Sequence, residues 1–254
     1  MSFGLVLVAA ASFVASAVNA IAGGGTFITF PSLTGFMGMS DKLANMTSTV
    51  GLWPGSASSV VAAKDDLRTV PRGMLWLYTV ISLIGGTAGA ILLRVTPEHS
   101  FKLVIPWLLA FATVIFAFSK PIARWAGRQH GDRSLKWTLF VGALQLVVAV
   151  YGGYFGAGIG VLMIAGLSFA GLDHLNQMNA LKVLLATVIN GVASIIFLFG
   201  RIDWTVAIVM AAASIVGGFL GMAWARRVPQ PVLRGMILAI GITLTAVYFW
   251  KNYR

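Results

Sequence analysis

The sequence predicts an all-α integral membrane protein built from two homologous repeats. It implies about eight full transmembrane helices plus two short half-helices that follow glycine-rich breaks. Three observations carry this prediction. The 254 residues are 58% hydrophobic and only 10% charged, with a mean hydropathy of +0.89, whereas a soluble domain has about a quarter of its residues charged. The apolar residues gather into runs of membrane-crossing length. The chain also repeats itself. An offset of 133 places Gly23 on Gly156, Gly25 on Gly158, Phe36 on Phe169 and Gly38 on Gly171. An offset of 132 places Gly85-Gly86-x-x-Gly89 on Gly217-Gly218-x-x-Gly221, Arg94 on Arg226 and Pro97 on Pro229. A duplicated apolar chain with glycine breaks at matching points has the pattern of a transporter, and the breaks point to the substrate.

Ten apolar segments follow in order: 3–22, 26–38, 44–63, 73–94, 101–118, 136–154, 157–171, 178–199, 203–224 and 232–250. Eight reach the roughly 20 residues that cross about 30 Å of hydrocarbon. The first begins at Phe3 with no Lys or Arg before it, unlike a secretory signal with its basic start, so it is expected to remain as a transmembrane helix. The second and seventh segments are short, and a 13-residue helix covers only about 20 Å. Each directly follows a glycine motif, Ala22-Gly-Gly-Gly-Thr-Phe27 or Phe155-Gly-Ala-Gly-Ile-Gly160, and is expected to begin inside the membrane. Pro31 lies in the first of them, at a position where a kink is expected.

The repeats are expected over residues 1–119 and 136–254, joined by a basic cytoplasmic linker at 120–135. Lys120 to Lys136 holds five of the 18 Lys and Arg residues. Loops on the linker side carry 11 basic residues against six on the other, whether the short segments cross or only dip in. Equivalent loops differ in the same sense. Residues 64–72 carry three basic residues against one at 200–203, and residues 225–235 carry three against two at 94–102. With cytoplasmic loops the richer in Lys and Arg, this predicts inverted repeats with both termini outside. The net charge of +11 is thereby explained by short loops rather than by a nucleic-acid-binding surface. Cysteine is absent, which removes disulfides and thiolate metal sites.

The polar residues at membrane depth narrow the function. All seven acidic residues, Asp41, Asp65, Asp66, Glu98, Asp132, Asp173 and Asp203, fall in loops or at segment edges. Proton-coupled carriers and cation channels usually keep carboxylates inside the span, so their absence argues against a cation substrate. One charge does lie inside, Lys182. A buried ammonium costs roughly 3 kcal/mol or more, which implies a partner; the alternative is that it snorkels to the interface. Its repeat equivalent is Thr49, at the end of the hydroxyl- and amide-rich patch Asn45-Met46-Thr47-Ser48-Thr49. A half-helix starting in the membrane offers unpaired N–H groups and a positive dipole end to an anion. Gly23, Gly24 and Gly25 would let the backbone approach it, as would Gly156, Gly158 and Gly160, and Thr26 adds a hydroxyl. Asn19, about one turn before Gly23, and Asn190, two turns after Lys182, complete the expected substrate-binding set. Gly85-Gly86-x-x-Gly89 and its copy are expected to serve helix packing instead. Gln145, Tyr151 and Tyr154 are weaker pore-lining candidates, and no metal or other cofactor is expected.

Ala-Gly-Gly-Gly-Thr-Phe-Ile-Thr-Phe-Pro-Ser-Leu at 22–33 resembles the first-half signature of the sulfite exporter TauE/SafE family of membrane permeases. Phe155-Gly-Ala-Gly-Ile-Gly160, with Ala180-Leu-Lys-Val183 and Asn190, resembles the partner motif, so that the likeness spans nearly the whole chain. The resemblance implies a bacterial inner-membrane carrier of sulfur-containing anions such as sulfite, sulfoacetate or related organosulfonates. It departs at Thr49, where many members carry a lysine, and this bears on the charge of the site. The expected function is thus an anion exporter or facilitator, with a channel for a small neutral solute or another anion, or an intramembrane enzyme, as alternatives. The expected partners are a small anionic substrate and the bilayer, with a homodimer left open and no nucleic acid.

Overall fold

The computed structural model describes residues 3–127, 135–170, 172, 174–224, 227 and 230–253. Eleven helices run through them. In order they are α1 (Phe3–Ile21), α2 (Thr26–Phe36), α3 (Asp41–Ala62), α4 (Lys64–Arg68), α5 (Arg72–Val95), α6 (Glu98–Gly127), α7 (Leu135–Tyr154), α8 (Ile159–Leu167), α9 (Leu175–Phe197), α10 (Trp204–Trp224) and α11 (Gln230–Tyr253). Seven of the long helices, all except α3, contain stretches long and apolar enough to cross a membrane. At 22 residues α3 is also long enough, but its centre carries Asn45, Thr47, Ser48, Ser56 and Ser59. It lies inside the bundle, where these residues meet protein rather than lipid. The protein is therefore a multi-pass membrane protein.

Both short helices fold back. A side chain at Gly25 would strike the Ala15 carbonyl of α1, while one at Gly4 would approach Met37, just past the end of α2. α2 thus runs back along α1 to the end from which α1 started. α8 does the same on α7: Ile159 lies against Gly152, Leu144 lies beside Gly166, and Trp137 Nε1 donates to the Phe169 carbonyl. Pro31 lies within α2 without ending it.

The two chain ends lie together. Tyr253 donates to the Leu103 carbonyl and Tyr248 to Asp41, while Arg94 reaches the Phe199 carbonyl. The α2–α3, α5–α6 and α9–α10 connections therefore share one end of the bundle with both termini. The opposite end gathers α4 (where Gln177 donates to Thr69) with the last part of α6 and the start of α11, where Arg234 donates to the Phe116 and Ala117 carbonyls.

Helix pairing follows the offset between the halves. α1 packs on α10 as α7 packs on α5, α3 on α10 as α9 on α5, and α2 on α11 as α8 on α6. Each of these pairings joins a helix of one half to a helix of the other, so that α1, α2, α3, α10 and α11 form one packed body and α5 to α9 a second; the contacts of α3 with α9 and of α6 with α11 join the two bodies. Exchanging the labels of one half for the other turns each of these pairings into another that is present. Only α4, absent from the ten expected segments, has no counterpart. A second departure from expectation is that α6 continues to Gly127, into the segment read as linker, because Pro121 does not stop the helix. Residues 128–134 lie outside the described residues.

Small residues let these helices approach closely. A Cβ on Gly217, Gly218 or Gly221 would fall on the backbone of Phe13, Gly55 or Ala17, and one on Gly89 on the Val150 carbonyl. Gly221→Ala and Gly89→Ala should each destabilise by about 1–3 kcal/mol through overpacking. Gly35→Ala, where nothing lies within 4 Å, should stay within about 0.5 kcal/mol of wild type. Thermal unfolding in detergent reads all three.

Candidate functional site

The two glycine breaks meet in space. Gly23 and Gly156 both adopt φ = 76° and Gly158 φ = 71°, left-handed values that glycine reaches without the steric cost of a Cβ. They turn the chain from α1 into α2 and from α7 into α8. Gly23 packs directly on Gly160, backbone to backbone, and the Phe27 ring covers Gly158. No other residue type fits the first of these contacts on either side.

Lys182 stands beside this junction. It is 1% exposed, so it does not snorkel to the interface. Its Nζ donates to the carbonyls of Ala20 at 2.9 Å and Asn19 at 3.2 Å. These belong to the last turn of α1, where unpaired carbonyls make a partial negative charge. Asn19 works from both of its ends, since its side-chain oxygen accepts the Gly25 N–H at 2.7 Å. One residue thus joins the end of α1, the start of α2 and the ammonium from α9. An ammonium has three donors, of which α1 takes two.

A cavity of about 20 Å³ lies here, enough for about one water and too small for a sulfite or sulfonate. Asn19, Gly23, Thr26, Gly156, Gly160, Lys182 and Asn190 all line it, as expected from sequence. Ser56 and Ser59 also line it and were missed. They continue the face of Thr49 at seven and ten residues along α3, which was the available signal. Among the described residues no acidic side chain is part of the wall.

The remaining expected residues lie elsewhere. Gly24 sits under Ile237, Gly25 against Ala15, and Gly158 against Phe27 and Ala112, so they shape the turns and do not face the cavity. Fewer backbone donors are free than expected, because Phe27 N–H bonds the Gly24 carbonyl and Val161 and Leu162 N–H bond the Gly158 carbonyl. The Asn45–Thr49 patch is spread among other partners. Asn45 donates to the Tyr154 carbonyl, Thr47 accepts the Asp203 N–H, Ser48 bonds Thr29, and Thr49 returns to the Asn45 carbonyl. Gln145 bonds Ser82 and Tyr151 the Ala157 carbonyl, so neither is free for a pore.

The patch nonetheless repeats the logic of Lys182. Tyr154 ends α7, and Asn45 reaches it from α3, just as Lys182 reaches the end of α1 from α9. One internal helix end is held by a neutral amide and the other by a cation.

Comparison with known proteins places this arrangement. The family model described as "Sulfite exporter TauE/SafE" matches residues 8–249. The chain belongs to that family. It is 29% identical to a "Probable membrane transporter protein" of Haemophilus influenzae over 92% of this chain and 90% of that protein. It is 25% identical to the "Probable membrane transporter protein ORF9" of a Sinorhizobium species, over 92% of this chain and 88% of that one. With YfcA of Escherichia coli K12, also named a probable membrane transporter protein, identity is 23% over 95% and 88%. No solved structure matches. As a member of the TauE/SafE family the chain is a multi-pass inner-membrane transporter of a small substrate.

Gly158→Ala tests the turn directly. There is room for the methyl group, with no atom nearer than 3.4 Å, so the cost is conformational, about 1–2 kcal/mol. Denaturation in detergent should show that loss, with the helical content of the folded state unchanged.

Proposed function

We propose that this member carries sulfur-containing anions such as sulfite or organosulfonates, as an exporter or facilitator, and that it is not an enzyme. The observation that carries the reading is a fully buried ammonium, Lys182, on the wall of a cavity without acidic side chains. Carbonyl dipoles offset part of its charge but cannot neutralise it, and in a low-dielectric interior the remaining attraction for an anion is strong. A neutral solute gains nothing from that field, which disfavours the channel alternative. Among the described residues the cavity wall offers no Asp, Glu, His or Cys of the kind that commonly supplies the acid, base or metal ligand of an intramembrane enzyme.

The small cavity fits a closed state of a carrier, which must widen to admit substrate. Residues 1–119 and 136–254 act as two inverted repeats about this single site, with the linker end in the cytoplasm, where 11 basic residues face six at the other end. Alternating exposure would then come from the body formed by α1, α2, α3, α10 and α11 moving against the one formed by α5 to α9, each of which draws helices from both repeats.

Counterflow in proteoliposomes tests the substrate. Sulfite or sulfoacetate should exchange where lactate does not. Lys182→Met should remove at least ten-fold of the rate while Lys182→Arg retains part, because the charge matters more than its shape. A correctly folded Met variant with wild-type exchange would overturn the reading.

Driving force gives a second test. With no carboxylate on the cavity wall, flux should follow the anion gradient and the membrane potential. A 100 mV inside-negative potential supplies about 2.3 kcal/mol per charge, roughly a 50-fold gradient of a monovalent anion outward. Flux measured with the pH gradient collapsed and the potential clamped should be unchanged, and loss of flux there would require proton coupling.

A further inference from the structure

A second cavity lies on the outside of the bundle, between α3, α9 and α10. It measures about 220 Å³, below the roughly 300–1,000 Å³ of a drug-sized pocket and suited to a slender chain. Trp53, Gly191, Leu198, Trp204 and Ile208 line it with Ser194. Ile208 is 63% and Trp204 52% exposed, so the groove opens to the hydrocarbon surrounding a transmembrane bundle. Its floor is fixed, because Trp53 lies flush on Gly191 and donates to the Thr187 carbonyl at 3.2 Å.

Two features go beyond an apolar surface. Ser194 is 5% exposed, and its hydroxyl has no hydrogen-bond partner; a buried hydroxyl left so is costly. It lies near the end of α9, one turn before Phe197. Just beyond, the connection between Leu198 and Trp204 carries the exposed Arg201, and the exposed Arg94 is held to it by donation to the Phe199 carbonyl. The neighbouring acid, Asp203, is engaged in capping α10 through the Val206 N–H. From the bundle interior outward, the surface therefore offers an apolar slot with Ser194 in its wall and then two cations.

We infer that this groove is a site for one anionic phospholipid. Its acyl chain fills the slot, and the phosphate lies on Arg94 and Arg201. Each part of the lipid meets its chemical complement in the order in which a bilayer presents them. A second copy of this chain fits less well: a two-fold interface would bring its own Arg94 and Arg201 to the same end and supply no anion. The site is independent of Lys182, but it braces α3 and α9, the helices that carry Ser56, Ser59 and Lys182.

Tryptophan quenching tests this, because Trp53 and Trp204 line the groove. The full chain is reconstituted in phosphatidylcholine vesicles doped with brominated phosphatidylglycerol or brominated phosphatidylcholine. The expected result is a quenching component that saturates at a several-fold lower mole fraction of the anionic lipid and is lost in Trp204→Phe. Arg201→Gln, at an exposed position, should move that component several-fold towards the phosphatidylcholine curve. Ala211→Phe, which fills the slot, should remove it. Identical curves for the two lipids, or no response to Arg201→Gln, would overturn the proposal. So would quenching that falls as protein concentration rises and returns in Ala211→Phe, which would assign the groove to a second copy.

Discussion

The rest of the structure depends on one charge held at the end of one helix. Lys182 reaches from α9 to the last carbonyls of α1, at the point where the chain turns through Gly23. Without a cation there, α1 would end inside the membrane with unpaired carbonyls, each costly away from water. Without the carbonyls, an ammonium at that depth would have no partner. The two needs are met together, and this sets how near α9 can stand to the α1–α2 turn. That spacing explains why Gly23 and Gly160 must both lack side chains, and why the space left between them is a small polar cavity.

The architecture was legible in the sequence because matching motifs recur at a fixed offset. The starts of α2 at Thr26 and α8 at Ile159 differ by the same 133 residues as the glycine breaks before them. Gly85, Gly89, Gly217 and Gly221 were readable as packing positions because small-residue spacing has a direct geometric meaning. The cavity was legible in part. Asn19, Thr26, Lys182 and Asn190 lie within a few turns of the breaks, and local spacing brings them to the site. Asn45, Thr47 and Ser48, expected in the substrate-binding set, bond away from the cavity, since a helical pattern fixes which face a residue occupies and not which helix it meets. Their partners on α7, α2 and the α9–α10 connection are long-range facts. The neighbour of Gly25 is likewise the Ala15 carbonyl, a contact invisible along the chain.

The two halves share a plan and differ where it matters. Positions equivalent to the cavity in the other half are closed by apolar side chains, with Ile159 against Gly152 and Phe27 over Gly158. The cap on α7 is the amide of Asn45, whose own oxygen lacks a partner, so the internal helix end in that half carries no net charge. The polar cavity at the glycine junction thereby has its cation in one half and no charged counterpart at the equivalent helix end of the other. If the substrate site lies here, as proposed, this asymmetry is useful to a carrier, because a single site can be shown to each side in turn, whereas two equal sites would compete for the same substrate.

The contact between the breaks also indicates where the bundle can open. The α1–α10 and α5–α7 seams are long and interlocked by small residues along their length, and sliding there would disturb many packed atoms at once. The Gly23–Gly160 contact holds no interdigitated side chains. Separating it disrupts little packing, and Asn19 and Lys182 already connect the parts that would move. Widening a cavity of about 20 Å³ to the size of an anion is therefore least costly at the glycine junction, with the helix seams acting as rigid bodies on either side. An arriving anion would supply a partner for the ammonium as its bonds to the Asn19 and Ala20 carbonyls loosen. The group that closes the junction in this state is then the same group that would reward its opening.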